Sequence, residues 1–161
     1  MSIRKGDRMP DGTFTQMGDN GPGLIATAEL FTGKKVLLFS VPGAFTPTCT
    51  ARHLPGYVDN AAAIKEKGVD TIACMAVNDV FVMTVWGKSA GAEGSVLMLA
   101  DGNGTYATAL GLASDSSAFG MGIRAQRFSI MVNHGVVTEL NIDPRGEFGQ
   151  TSAETALKQL A

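Results

Sequence analysis

Short apolar runs alternate along this chain with segments of helical spacing. The run at residues 34–40 is the densest, and together with a second run at residues 70–77 it predicts buried strands. Further extended segments are predicted at residues 96–100, 127–132 and 136–142, the last two forming a hairpin around His134-Gly135. Glycine-punctuated segments at residues 12–17 and 23–30 favour an edge hairpin or an extended arm.

Helical spacing fills the intervals between these strands. Helices are predicted from about Cys49, over residues 59–67, from Asp79 to near Gly91, over 106–110 and over 152–160. Pro55-Gly56 predicts a kink or break between the first two helical pieces. Residues 151–154, Thr-Ser-Ala-Glu, resemble a capping box for the last helix, and residues 111–122 are predicted to be a loop.

The alternation of strands and helices predicts an α/β fold. The C-terminal hairpin makes the central sheet mixed rather than purely parallel, and helices flank it. A chain of 161 residues has the size of one ordinary domain, and no repeat or linker divides it, so one domain over residues 1–161 is expected.

Composition excludes several classes of function. The net charge of −2 gives no electrostatic footprint for nucleic acid or an anionic membrane surface. No apolar run approaches the roughly 20 residues that span a bilayer, and the first residues lack an apolar signal core, so a cytoplasmic location is expected. Two cysteines and two widely separated histidines provide neither a disulfide framework nor zinc-ligand spacing, so no metal is expected.

Cys49 is the residue with the strongest chemical signal. It follows the strand at 34–40, the strand-ending Pro42-Gly43 and the Thr46-Pro47-Thr48 segment that is typical of a helix start. Unpaired N–H groups and the helix dipole at that position stabilise a thiolate over a thiol. The alternative is a buried cysteine that packs as a small hydrophobic residue. The position favours a reactive thiol.

The segment P-G-A-F-T-P-T-C at residues 42–49, followed by H-L-P-G-Y at 53–57, resembles the active site of the type II (atypical, peroxiredoxin-5-like) peroxiredoxins. Residues 77–79, 99–104 and 127–129 agree with the same family. The resemblance implies a thioredoxin-like fold and a thiol peroxidase that reduces hydrogen peroxide and alkyl hydroperoxides without a cofactor. It also implies that the Cys49 thiolate attacks one peroxide oxygen and becomes a sulfenic acid.

Three further residues receive roles from this resemblance. Thr46 stands three residues before Cys49, where a thioredoxin-type Cys-x-x-Cys motif would have its other cysteine, and it is expected to hydrogen-bond the peroxide or to cap the helix. Arg127, immediately before Phe128-Ser129, is expected to hold the thiolate and stabilise the leaving oxygen. Pro42 is expected to shape the substrate pocket, and Arg124 to be a surface or supporting residue.

His53 stands four residues after Cys49, so the two side chains could share a helix face. A thiolate–imidazole pair is conceivable, but no Asn or Asp is obviously placed to orient the imidazole. A structural hydrogen-bonding role for His53 is the preferred interpretation.

Cys74 lies within the apolar strand at 70–77, where core packing is expected. Some type II peroxiredoxins have a second cysteine at this spacing of 25 residues, and others resolve the sulfenic acid with a cysteine near the C-terminal helix, where this chain has Thr151. A strand-buried thiol needs local unfolding to reach Cys49. The expectation is therefore a one-cysteine cycle with an external thiol reductant, glutathione or glutaredoxin, with thioredoxin as another possibility.

Homodimers are common in the family, and Phe45 with the loop at 111–122 is where apolar contact is expected. Two alternatives stay open at this point. A redox sensor or chaperone-like binding protein would use Cys49 oxidation as a switch, and a thiol–disulfide oxidoreductase would share the fold but lacks its Cys-x-x-Cys motif.

Overall fold

The apolar runs become the centre of a mixed sheet in the computed structural model, which describes residues 1–161. The strands are β1 (Thr13–Gly18), β2 (Gly21–Ala26), β3 (Lys35–Ser40), β4 (Thr71–Ala76), β5 (Leu97–Ala100), β6 (Ala113–Asp115), β7 (Ile123–Ala125), β8 (Arg127–Asn133) and β9 (Val136–Asp143). Seven of them form one sheet in the order β2-β1-β5-β4-β3-β8-β9, while β6 and β7 form a separate two-stranded ribbon. The three central strands are parallel and the flanking pairs are antiparallel, as predicted.

Helices cover both faces of this sheet. They are α1 (Thr27–Phe31), α2 (Leu54–Glu66), α3 (Val80–Ser89), α4 (Thr105–Ala109) and α5 (Ala153–Leu160), and a π-helical turn at Cys49–His53 leads directly into α2. None of these helices has the length and apolar character needed to cross a membrane.

Two apolar cores lie on opposite faces of the sheet, because successive side chains of a strand point to opposite sides. Leu37, Phe39 and Cys74 face the core that α2, α3 and α5 cover, and Cys49 lies in that core. Leu38 and Ala73 face the second core, which includes side chains of α1 and α4. Cys49 and Cys74 therefore share one core.

The helix after Cys49 differs from the prediction. Pro55 does not break it, because the π turn at Cys49–His53 runs directly into α2 and Pro55, which has no N–H to donate, lies just after this irregular turn. The irregularity comes one turn earlier, in the π turn, where the N–H of Leu54 donates to the carbonyl of Cys49.

Three local predictions at other positions are wrong. The segment at 111–122 is not only loop, since it contains β6, which pairs with β7. The edge hairpin predicted for residues 12–17 and 23–30 is present as β1 and β2, but residues 27–30 belong to α1 and are not extended. The cap of α5 is Ser152, whose hydroxyl accepts from the N–H of Thr155, and not Thr151, whose hydroxyl donates to Asp143.

Candidate active site

Cys49 is the first residue of the π turn and is completely buried. Its position results from the end of β3 at Ser40 and the loop that follows, and the N–H of Thr50 donates to the carbonyl of Thr46 at 3.0 Å. The prediction that Cys49 stands in the first turn of a helix is confirmed. Its thiol is free of any disulfide.

The loop before Cys49 is tied to its surroundings at several points. The N–H of Ala44 donates to Oδ1 of Asn78 at 2.9 Å, just before α3. The hydroxyl of Thr46 donates to the carbonyl of Gly43 at 2.7 Å, so its proton is committed and its lone pairs remain available as acceptors. This hydroxyl accepts no backbone hydrogen bond, so the expected helix-capping role of Thr46 is not seen.

Arg127 lies at the start of β8 and reaches the sulfur. Its Nη2 donates to Sγ of Cys49 at 3.2 Å, and its Nη1 donates to Nδ1 of His53 at 2.7 Å. One guanidinium therefore bridges the thiol and the imidazole, and its fixed planar shape couples the two contacts.

The hydrogen bonds of His53 determine its protonation. Because a guanidinium can only donate, Nδ1 of His53 must accept, and the proton of the neutral ring is on Nε2, 3.0 Å from the carbonyl of Thr151. Burial of the ring and the nearby charge of Arg127 lower the pKa of His53 from 6.5 to about 3. The predicted hydrogen-bonding role of His53 is confirmed, and the ring contacts Arg127 rather than the sulfur.

Arg124 has a supporting position. Its Nε donates to the carbonyl of Met121 at 2.8 Å and its Nη1 to the carbonyl of Val77 at 3.2 Å. A Cβ atom added at Gly43 would lie only 3.3 Å from Nη1 of Arg124, so the glycine allows this close approach to the active-site loop. Arg124 therefore joins the end of β4 to the 111–122 segment beside Gly43, and its hydrogen bonds do not include Cys49.

A cavity of about 470 Å³ adjoins this cluster at Arg127. Its lining also includes Pro42, Thr48, Ser114, Phe119 and Arg145. A larger groove of about 790 Å³ runs past Lys65 and Lys88, but its lining includes none of the predicted active-site residues. Of the four residues predicted to bind substrate, Pro42 and Arg127 line the cavity, whereas Thr46 and the fully buried Cys49 do not.

Asp143, Phe148 and Thr151 complete the site and were not predicted from the sequence as site residues. The ring of Phe148 packs 4.9 Å from the ring of His53, with the guanidinium carbons of Arg52 and Arg127 at 4.8 Å and 5.7 Å from its centroid. The one available signal was Thr151, which stands where other family members have a resolving cysteine. No aromatic or acidic pattern in the sequence marked the other two.

Cys74 lies in the middle of β4 and is as completely buried as Cys49. Burial raises the pKa of the Cys74 thiol well above its ordinary value, and the neighbouring Cys49 raises it further. No group of three or more His, Cys, Asp or Glu side chains is arranged to hold a metal ion.

Comparison with known proteins adds independent findings. The family model described as Redoxin matches residues 4–157. The chain is 44% identical over 164 residues to "Peroxiredoxin-2E, chloroplastic" of Arabidopsis thaliana, covering 99% of this chain and 70% of that protein. It is also 44% identical over 164 residues to "Peroxiredoxin-2E-2, chloroplastic" of Oryza sativa subsp. japonica, covering 99% of this chain and 73% of that protein.

Solved structures agree with these relatives. The reduced Prx3 of Vibrio vulnificus, crystallised in complex with H2O2, superposes with a TM-score of 0.95 at 47% identity, and the match covers 99% of both chains. An antioxidant protein of Plasmodium falciparum, described as a 1-Cys peroxiredoxin, superposes with a TM-score of 0.90 at 29% identity over 98% of both chains.

The relatives correct one prediction. The cytoplasmic location inferred from the sequence is contradicted by the names of the two plant proteins, which are chloroplastic. The inference used the composition of the first residues. The matched region leaves 30% and 27% of those proteins outside it, and composition within a shared domain does not report on a compartment.

Proposed function

The chain belongs to the Redoxin family and is a type II peroxiredoxin with a thioredoxin-like fold, and from this premise we propose that Cys49 is its peroxidatic nucleophile in a one-cysteine cycle. A peroxiredoxin is a thiol peroxidase, with a peroxide as oxidant and a thiol as reductant. The observation that carries the assignment of Cys49 is the 3.2 Å contact between its sulfur and Nη2 of Arg127.

The first step is a displacement at oxygen. The Cys49 thiolate attacks one oxygen of the peroxide, an S–O bond forms, and the O–O bond breaks. The sulfur is oxidised to a sulfenic acid, while the departing oxygen takes up a proton and leaves as water or an alcohol. Hydrogen peroxide and small alkyl hydroperoxides both fit this chemistry, and the Vibrio neighbour was crystallised with H2O2.

Arg127 and Thr46 serve this step in different ways. The cation of Arg127 holds the thiolate and stabilises the negative charge that develops on the leaving oxygen. The hydroxyl of Thr46 has its proton committed to Gly43, which leaves its oxygen to accept a hydrogen bond from the peroxide O–H. Pro42 and Arg127 both line the cavity, through which the peroxide would approach.

The buried environment of Cys74 supports the one-cysteine cycle. Cys74 shares a core with Cys49, so separation alone does not exclude a disulfide. A resolving cysteine must attack as a thiolate, and burial strongly disfavours the charged form of Cys74. An external thiol, glutathione or glutaredoxin, therefore attacks the sulfenic acid. The products are water and a mixed disulfide, and a second external thiol then releases Cys49 as a thiol.

A homodimer is part of the proposal. Phe45 is 51% exposed beside α3, with its ring centroid 6.5 Å from that of Trp86, and Phe81 on the same helix is 62% exposed. Phe119, in the 111–122 segment, is 67% exposed. Large exposed aromatic side chains near one site mark a protein contact surface.

Turnover separates this proposal from a redox sensor. We expect wild type and Cys74→Ser to consume many equivalents of hydrogen peroxide in the presence of excess glutathione, and Cys49→Ser to consume none. A wild-type protein that reacts with only one equivalent under these conditions would support the sensor or chaperone-like alternative. Loss of turnover in Cys74→Ser alone would replace the one-cysteine cycle by a two-cysteine cycle.

A further inference from the structure

Asp143, at the end of β9, is a buried carboxylate with no basic partner. It accepts from the N–H groups of Gly149, Gln150 and Thr151 at 3.2, 2.9 and 3.1 Å, and from the hydroxyl of Thr151 at 2.6 Å. Burial alone would raise the pKa of Asp143, but the hydrogen bonds from the Thr151 hydroxyl and the three N–H groups together lower it. A charged carboxylate thus folds the segment between β9 and α5 around itself.

The same folded segment faces the active site. The carbonyl of Thr151 accepts from the hydroxyl of Tyr57 at 2.8 Å and lies 3.0 Å from Nε2 of His53. Thr151 and His53 are both fully buried, so water does not compete for this carbonyl. Phe148 of the same segment packs on His53. The segment therefore provides both an acceptor and an aromatic cover for the imidazole.

The carbonyl of Thr151 acts together with the guanidinium of Arg127 to keep the proton of His53 on Nε2. With the proton on Nε2, the ring donates to Thr151 and offers Nδ1 as an acceptor to Nη1 of Arg127. With the proton on Nδ1, the N–H of the ring would face an N–H of the guanidinium, and no hydrogen bond could form between them. The carbonyl of Thr151 would also lose its hydrogen bond from His53. Arg127 would then be free to turn away from Cys49.

We propose that Asp143 and Thr151 are positioning residues of the peroxidase reaction, which hold the proton of His53 on Nε2 and thereby keep Arg127 on the sulfur of Cys49. The proposal rests on the assigned role of Arg127. It links the C-terminal segment to a sulfur that it does not touch, through Asp143, Thr151, His53 and Arg127 in succession.

The wild-type protein provides the first test, without any variant. Nitrogen NMR of uniformly labelled protein distinguishes the two neutral tautomers of a histidine. We expect His53 to be the Nε2–H tautomer at neutral pH, with the exposed His134 as an internal reference. A His53 ring protonated on Nδ1, or averaged between both nitrogens, would overturn the proposal.

Variants provide the second test. Asp143→Asn and Thr151→Val should lower the rate constant for Cys49 oxidation by about tenfold or more, as expected for partners that orient an active-site group indirectly. Both should also disturb the nitrogen signals of His53. Thr151→Ser keeps the hydroxyl and should restore the rate constant to within about twofold of wild type.

Ser152→Ala is the matched control for a loss of stability. It removes the cap of α5 beside Thr151 but leaves every contact of His53 in place, so it should unfold more easily and react with peroxide normally. If Asp143→Asn and Thr151→Val lose stability as Ser152→Ala does but retain the wild-type rate constant and tautomer, the segment is only a structural tether. Full activity of Cys49→Ser would instead refute the proposed function itself.

Discussion

Arg127 donates from Nη2 to Sγ of Cys49 across 3.2 Å, although 78 residues separate them in the chain. The contact exists because β3, which leads into Cys49, pairs antiparallel with β8, which begins at Arg127. The sheet thus places the cation beside the start of the helix. Arg127 therefore has three parts in the proposed mechanism: it holds the thiolate, it stabilises the leaving oxygen, and it contacts His53.

Arg127→Ala should slow peroxide reduction by more than tenfold. A free cysteine is a few per cent thiolate at neutral pH, so complete ionisation alone gains at most about 1.5 decades, and the stabilisation of the leaving oxygen adds to it. The measurement is the single-turnover rate of Cys49 oxidation, with the exposed Arg4→Ala as control. A loss smaller than tenfold would show that Arg127 does not have this role.

Thr46→Val should lower the rate constant for peroxide by about tenfold or more while the fraction of Cys49 present as thiolate stays unchanged. The physical reason is that the hydroxyl orients the peroxide and does not contact a charged group. Stopped-flow kinetics with ultraviolet detection of the thiolate measure both quantities. Thr46→Ser should react nearly as wild type, and an equally slow serine variant would argue against the hydroxyl.

Stability should fall as the solution becomes acidic, in part because of His53. The unfolded chain protonates this histidine below about pH 6.5, whereas the folded protein resists protonation until about pH 3. Protons therefore favour the unfolded state in this interval, and the free energy of unfolding decreases by up to about 1.4 kcal/mol for each unit that the pH falls.

Urea unfolding between pH 4 and pH 7 tests this effect, where the interval follows from the pKa of His53. We expect His53→Asn to have a shallower dependence of stability on pH than wild type. His134→Asn, at the exposed histidine, should keep the full dependence. Equal slopes in all three proteins would mean that His53 is not held neutral by the fold.

Phe81→Asp should weaken self-association, because it replaces an exposed aromatic side chain of α3 by a charge. Light scattering over a range of concentrations measures the change. Leu24→Asp is the matched control, since Leu24 is an apolar residue that is 73% exposed on the edge strand β2 and not on α3. A monomeric mass for the wild type would contradict the proposed homodimer.

Patterns of neighbouring residues in the sequence predicted the longer strands and the start of the helix at Cys49. The apolar run before Cys49 predicted β3, and the Pro-Gly end of that run placed Cys49 at a helix start. The short strand β6 was not predicted. It has three residues and pairs only with β7, and three residues are too few to show an alternation that distinguishes a strand from a loop. The break predicted at Pro55 was wrong because the chain stays helical from the π turn directly into α2, with Pro55 just after the irregular turn.

The contacts of His53 could not be predicted, because they join residues that are distant in the chain. Thr151 lies 98 residues from His53, and Arg127 lies 74 residues from it. The group that orients the imidazole is a backbone carbonyl, which every residue has, so no side-chain pattern in the sequence marks it. Only the tertiary structure shows which carbonyl it is.

Intact-protein mass after one equivalent of hydrogen peroxide tests the central claim most directly, with wild type and Cys74→Ser compared. A gain of one oxygen in both proteins, reversed by glutathione, is the result that a one-cysteine cycle at Cys49 predicts. A loss of two hydrogens in wild type alone would contradict it, because Cys74 would then form a disulfide with Cys49 and β4 would have to open during turnover.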